Sequence, residues 1–489
     1  MKKTYIIQAI TTLILLSGCA GSQTEIQIIQ DLPSIFPDYC EVTVPLNIAP
    51  LHFQLTDDPL QTEVLLEGTQ SEPIRVRTKS VVTFRRSVWR KMLEKHAGTN
   101  ITVTVRGKYP DRGWIEYKPF SLYISTVPID DYLVYRLIAP GYEVFSKMGI
   151  YQRDLTSFKQ TPLLENTLIP GNCINCHSFN QNMPEKMSLH IRGDLGGTII
   201  KTGDKMEILH TKTEETQGNF VYPYWHPSGD YIVYSVNKTI QAFHAVRDHR
   251  VEVIDLTSDI VVYHPESKQV LTSDLLQTEA FETFPSFSPD GNTLYFSSSQ
   301  FKNIPDEYDQ IRYNLCSLSF DPETGTFGDR VDTLIHAATM GKSISYARPS
   351  PDGKYIMFTL SDYGNFSIWH KEADLWLYDL QDGSMREMKE VNSDDVESYH
   401  SWSSEGTWFV FSSRRLDGLY TRPYFASIGK DGSITKPFLL PQNNPREFYD
   451  MTLYSYNVPE FITGKAEWNV REVERILNKG DRGKVEIRR

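Results

Sequence analysis

The chain has 489 residues, 12% of them aromatic, and a formal net charge of −12. That length exceeds one ordinary core and allows two to four domains at about 150 residues each, while the 27 tyrosines suit strand-rich domains better than helical bundles. The acidic balance argues against nucleic acid and anionic lipid headgroups as partners, because like charge repels.

Residues 1–18 read as an export signal. Lys2 and Lys3 supply positive charge, Tyr5 to Leu16 a short apolar run, and Leu16-Ser-Gly-Cys19 a small-residue cleavage site. The run is too short to cross a hydrocarbon core of ~30 Å as a helix. Leu16-Ser-Gly-Cys19 resembles the lipobox of bacterial lipoproteins, and that resemblance implies a diacylated Cys19 as the mature N-terminus. An ordinary secretory signal is the alternative. Two or three acyl chains anchor durably where one does not. Without its first 18 residues the chain carries 48 basic and 62 acidic residues, or −14. No later stretch approaches membrane-spanning hydrophobicity, so the body is expected to hang from lipid alone, as an outer-membrane lipoprotein of the cell envelope. Ala20 to Thr24 contains no acidic run, which favours the periplasmic side over the cell surface.

Residues 19–39 read as a tether. From Cys40 the chain turns β-rich: Val42-Thr-Val-Pro-Leu, Leu51-His-Phe-Gln-Leu, Ile74-Arg-Val-Arg and Ile101-Thr-Val-Thr-Val alternate apolar and polar residues, the period of a half-buried strand. One helix interrupts them, with Ser87 as its cap, Trp89, Met92 and Leu93 as its apolar face, and Gly98 past its end. Residues 40–127 are therefore expected to form a β-sandwich-like domain, acting as a spacer or binding module.

Residues 128–186 are less regular and read as a connector. They contain the most chemically informative stretch, Gly171-Asn-Cys-Ile-Asn-Cys-His-Ser-Phe179. Cys-x-x-Cys-His is the attachment motif of c-type haem. Two thiols at that spacing can add to two vinyl groups on one porphyrin edge while the adjacent His reaches the iron. Cys173, Cys176 and His177 are thus candidate haem c residues, with His177 also a metal ligand. Met183, Met187 and His190 follow closely as candidates for the second axial position, Met187 and His190 preferred because Pro184 biases Met183 towards extended backbone. Three other readings stay open: a thioredoxin-type disulfide, half of a metal site, or a structural loop. A metal site needs a second ligand pair, and only Cys40 and Cys316 remain, far apart in sequence. A thioredoxin site needs a βαβ context that is lacking.

Residues 187–466 carry a repeat. Thr283-Phe-Pro-Ser-Phe-Ser-Pro-Asp-Gly291 runs into the strand Leu294-Tyr-Phe-Ser-Ser. Related copies are Tyr222-Pro-Tyr-Trp-His-Pro-Ser-Gly229, Ala347-Arg-Pro-Ser-Pro-Asp-Gly353 and His400-Ser-Trp-Ser-Ser-Glu-Gly406. Each is a tight turn, with Gly supplying positive φ, followed by an alternating strand. One such β-meander cannot bury its apolar face alone, so repeats at this spacing stack radially into a propeller. The repeats resemble the blades of TolB-type propellers, although Ser228 and Glu405 depart from the Asp of that motif and Ser404 from its second Pro. About six blades are expected, the first from residues ~187–220 and the last closed by a strand over Phe448–Tyr456. Residues 467–489 read as a C-terminal helix and tail, with Val470, Val473, Ile476 and Leu477 at helical spacing and Gly480 stopping it.

Lipobox, β-rich N-terminal region, Cys-x-x-Cys-His and TolB-like repeats together resemble lipoproteins of Bacteroidetes described as TolB-like or as cytochrome c biosynthesis proteins. The resemblance implies an all-β architecture, a covalent haem c, and electron transfer or redox sensing coupled to a periplasmic or envelope protein. The alternative from another class is a non-catalytic protein-binding scaffold, as in TolB-type propellers. No catalytic residues are expected. There is no Gly-x-Ser-x-Gly and no His-Glu-x-x-His. Gly341-Lys-Ser343 mimics the end of a phosphate loop, but His336 stands where its first Gly is required.

Overall fold

The computed structural model describes residues 26–139, 147–211, 216, 218–243, 249–479 and 482–488. The export signal, Cys19, residues 20–24 and Gly480 lie outside the described residues.

The N-terminal strands form a two-stranded sheet (Ile35–Phe36 with Gln54–Leu55) and a seven-stranded one, whose central strands Gln61–Glu67 and Asn100–Tyr109 pair in antiparallel register. Their alternation buries Val64, Leu66, Val103 and Val105 on one face. Helix α1 (Arg86–Lys95) packs onto that face through Trp89, Met92 and Leu93, as the periodicity predicts. Its cap differs: Arg85 holds the N-cap position without a side-chain hydrogen bond, and Ser87 lies inside the first turn. The described part of the expected tether is docked rather than free. Ile26–Ile28 pairs in parallel with Gly113–Glu116 through its backbone while its side chains stay exposed, and Tyr39 is buried in the core.

The rest of the described chain is a β-propeller. Its inner strands are β1 (Cys173–Asn180), β2 (Asn219–Trp225), β3 (Phe281–Phe287), β4 (Ser343–Pro349), β5 (Glu397–Trp402) and β6 (Ser455–Ile462). Each packs against the next, and β6 packs against β1. Behind each of β1 to β5 the chain continues outward as three further antiparallel strands. The strands behind β6 come from the other end of the propeller sequence: Tyr132–Ile138 pairs with β6, with Tyr132 opposite Ile462, and Gly149–Asp154 and Gln160–Glu165 follow outward. The described residues between 128 and 186 are therefore part of the propeller and not a connector. Their pairing partner lies some three hundred residues downstream, so no local hairpin marked them.

Two boundaries at the C-terminal end also shift. The expected strand over Phe448–Tyr456 is divided between a helix (Pro445–Met451), begun by Pro445 in its first turn, and the start of β6 at Ser455. The terminal helix runs Val470–Asn478, capped by Asn469, whose side chain accepts from the Glu472 amide at 3.2 Å, and it buries Val473, Ile476 and Leu477 but leaves Val470 exposed. Beyond it, Gly483–Lys484 and Glu486–Arg488 add parallel strands to the outer edges of the β1 and β2 sheets.

The four repeat glycines sit at φ of +78° (Gly229, Gly291), +70° (Gly353) and +69° (Gly406), as their turn role predicts. They are not equivalent in space. A Cβ on Gly291 would come within 2.1 Å of His226 Nε2, whereas nothing lies within 4 Å of one on Gly353. Both Gly→Ala changes incur roughly 1–2 kcal/mol of left-handed strain. Gly291→Ala is expected to lower the calorimetric unfolding midpoint clearly further than Gly353→Ala, and equal drops would show that His226 yields freely.

Candidate functional site

A non-glycine residue at positive φ is uncommon. Tyr222, Phe284, Tyr346, Tyr399 and Val458 adopt it at corresponding points of β2 to β6, with φ between +49° and +55°. Each lies where the inner strand slips register against its neighbour. Such a bulge adds one residue to the strand and re-aims the side chains beside it. Here it turns aromatic rings towards the propeller axis. Tyr222 and Phe284 lie 4.3 Å apart, Phe284 and Tyr346 4.1 Å, and Tyr346 and Tyr399 4.8 Å between ring centroids.

The Cys-x-x-Cys-His motif falls on the same feature. In β1 the register slips between Ile174 and His177, so Asn175 and Cys176 occupy the bulge. Cys173 and Cys176 are free, half-buried thiols. Both line a cavity of about 320 Å³ on the axis, within the roughly 300–1,000 Å³ typical of cofactor sites. Ile174 points away into the core between neighbouring sheets, which fixes the strand.

His177 also borders the cavity, but its side chain is wholly buried, beside Arg136 and with Nε2 4.0 Å from Glu460 Oε2. Neither ring nitrogen makes a well-formed hydrogen bond. Burial, reinforced by the Arg136 charge and opposed weakly by the Val458 backbone, pushes its pKa down to about 3, so the imidazole is neutral and its lone pair unprotonated. Arg136 donates to Asn175 Oδ1 and so holds the bulge from the adjacent sheet. Glu460 accepts from the Phe179 amide at 2.9 Å, and burial raises its pKa to about 8 despite that bond and Arg348. Three further guanidiniums line the cavity, those of Arg192, Arg348 and Arg414. Arg348 lies 5.2 Å over the Tyr224 ring, and Arg414 lies 3.4 Å over Trp369, desolvated enough to fall to about 9. The site thus combines two thiols, an unpartnered imidazole, aromatic walls and cationic side chains.

No family model matches this sequence, and no curated protein matches it. Among solved structures, the chain is similar to the β-propeller domain of the trilobed protease from Pyrococcus furiosus (10% identity, TM-score 0.35, covering 69% of this chain and 81% of that one). It is also similar to the tricorn protease (12%, 0.32, covering 70% and 39%) and to Kuenenia stuttgartiensis hydrazine synthase (12%, 0.31, covering 53% and 64%). The chain spans under two thirds of the hydrazine synthase it matches, and 44% of prolyl oligopeptidase B from Galerina marginata.

The proposed second ligands are not brought to the cavity. Met187 pairs with Phe179 and is buried in the core between sheets, because residues 187, 189 and 191 form the apolar face of Met183–Arg192. His190 points to the other face of that strand and is buried with Nδ1 3.1 Å from Thr198 Oγ1, away from the cavity lining. Met183 is exposed at the hairpin. His226, of the first clear repeat, is held by Ser228 and by the Gly291 carbonyl. Besides His177, the histidine among the described residues that lines the cavity is His400, buried on β5 with Nε2 2.9 Å from the Met357 carbonyl. It occupies the bulge position equivalent to Cys176, immediately after Tyr399. The repeat at His400 was legible, but its relation to Cys176 requires the strand alignment.

Proposed function

We propose that this protein is a lipid-anchored, periplasmic six-bladed propeller of TolB-like type that carries a covalent c-type haem for electron transfer or redox sensing coupled to an envelope partner. Its N-terminal sheet serves as a sandwich-like spacer, and Cys19 is the acylated tether. The reading rests above all on two free thiols and an unpartnered, neutral imidazole on one strand at the wall of one cavity.

The donor set fits a porphyrin better than a chelated ion. Cys173, Cys176 and His177 are not among the groups, within the described residues, whose ligand atoms converge within 4.8 Å. A single ion needs such convergence, whereas thioether links and axial ligation are spread along a porphyrin edge and its centre. Cys173 and Cys176 would hold the vinyl-derived carbons, each S–H adding across one C=C without an oxidant, and His177 Nε2 or Nδ1 would face the iron. The bound group would supply one-electron chemistry. Arg348 and Arg414 would offset propionate charge, and the tyrosine rings would exclude water.

The full sequence, expressed with c-type haem maturation machinery, is expected in the membrane fraction with intact mass showing one haem and an acylated Cys19, and with a Soret band. Cys173→Ser/Cys176→Ser should abolish the haem mass. Absence of both haem mass and Soret band from the parent protein would overturn the reading. In that case retention of the same envelope partners by parent and variant would favour a binding scaffold.

A further inference from the structure

His249, His370 and Glu372 gather at the edge of the cavity, with one candidate ligand atom from each within 4.8 Å of the others. Their chain neighbours Val251 and Trp369 line the cavity itself. An isolated antiparallel bridge between His249 and His370 ties the long hairpin Ile232–Phe243/Val251–His264 to the loop after Tyr355–Ser361. We propose that this is a binding site for one divalent transition cation of the zinc class, ligated by His249 Nε2, His370 Nδ1 and Glu372, with a position left for solvent or substrate.

The spacing suits such an ion. His249 Nε2 lies 3.1 Å from Glu372 Oε2, and His370 Nδ1 lies 3.5 Å from Glu372 Oε1. Ligand atoms at zinc bond lengths of ~2.0–2.2 Å in a tetrahedron stand ~3.3–3.6 Å apart, so little movement is needed. The side chain of His370 is fully buried, and its Nδ1 makes no well-formed hydrogen bond.

The surrounding shell is an independent observation. His370 Nε2 lies 3.0 and 3.1 Å from the two oxygens of buried Glu252, to which it donates, and a bound cation would take the place of any proton on Nδ1. Tyr363 donates to Glu252 at 2.8 Å, and its oxygen lies 3.3 Å from His249 Nδ1. With Nδ1–H donating to that oxygen, Nε2 would be available to ligate an ion. A carboxylate or hydroxyl behind each imidazole, fixing tautomer and orientation, is the outer shell that metal-ligating histidines have. A purely structural cluster would be a protonated His370 clamped by two glutamates. In that metal-free state His249 donates its Nε2 proton to Glu372 as well, and a bound zinc ion would displace both protons. Two histidines, one carboxylate and an open position are also the composition of sites that activate a bound water.

The full chain, stripped with chelator and dialysed, is titrated with Zn(II) by calorimetry and with Co(II) by visible absorption. Wild type and Cys173→Ser/Cys176→Ser are run in parallel to remove the thiols as competing ligands. Both are expected to bind one equivalent and to show the d–d bands of four-coordinate Co(II). His249→Ala and Glu372→Gln, at partly exposed positions, should each weaken binding at least ~10-fold, and Glu252→Gln, outside the ligand set, by roughly 10–100-fold. The proposal is overturned if the double variant His249→Ala/Glu372→Gln binds as much Zn(II) as its parent, or if Co(II) gives no such bands. Neither result bears on the haem, which is read from the cysteines.

Discussion

Trp408→Ala is expected to destabilise the protein by about 3–5 kcal/mol and to loosen the propeller and the N-terminal sheet together. Trp408 opens an inner-layer strand of the β5 sheet and is fully buried. Its indole N–H donates to the Val127 carbonyl at 3.1 Å, and its ring meets Phe438 edge-on. The apolar cluster around it includes Val410 and Phe425 from the propeller, and Val44, Leu66 and Trp89 from the N-terminal sheet and helix. One core therefore spans both parts, and beside it the Ser404 amide donates at 2.8 Å to Asp130, on the segment that leads from the N-terminal sheet into the propeller. Truncation removes a large buried ring and leaves the Val127 carbonyl without its donor, so the transfer, cavity and hydrogen-bond costs all act in one direction. Urea unfolding followed by tryptophan fluorescence and by far-UV circular dichroism should shift together. A loss under 1 kcal/mol, or two separated transitions, would show that the N-terminal sheet is an independent spacer.

How much of this could be read in the sequence depends on which residue closes each turn. The four legible repeats end at Gly229, Gly291, Gly353 and Gly406, and the bulge residues Tyr222, Phe284, Tyr346 and Tyr399 each lie seven positions earlier. The same interval runs from Asn175 to Asn182, and Asn182 has φ +60°. Asn is one of the few other residues that adopts this conformation readily, but this hairpin is longer, with Ser178 opposite Ser188 where Trp225 stands opposite Ile232, so the haem-type motif lies on an inner strand whose turn lacks the repeat signature. Aligned this way, Cys176 matches Pro223, Pro285, Ala347 and His400. The motif itself was legible from its chemistry. The wall opposite it was not, because that wall is assembled from residues hundreds of positions apart. The alternation Met187-Ser-Leu-His-Ile191 already carried the signal that Met187 faces a core, since period-two burial assigns residues 187, 189 and 191 to one face.

The apoprotein should be most stable at mildly acidic pH, near 4.5, and lose stability on both sides. Burial, with help from neighbouring cations, pushes His177, His190 and His400 down to about 3. As pH falls below their ordinary value near 6.5, the unfolded chain takes up three protons that the folded chain refuses, so these residues destabilise the fold in acid. The buried carboxyls act oppositely. Desolvation raises Glu282 and Glu460 to about 8, Asp374 to about 7, and Asp255 and Asp259 to about 6. Between roughly pH 4.5 and those values the folded chain holds protons that the unfolded chain has released, so stability falls as pH rises. Five raised carboxyls outweigh three depressed histidines from about pH 5 to 8, by at least one proton, which corresponds to about 1.4 kcal/mol per pH unit. Below pH 4 the unfolded carboxyls are protonated too, their contribution vanishes, and the histidines dominate. Thermal melts from pH 3 to 9 at constant ionic strength measure the balance. A midpoint that climbs steadily from pH 5 to 8 would mean that Glu282 and Glu460 are ionised in the folded protein, and Glu460→Gln should then lower stability at pH 8 instead of raising it.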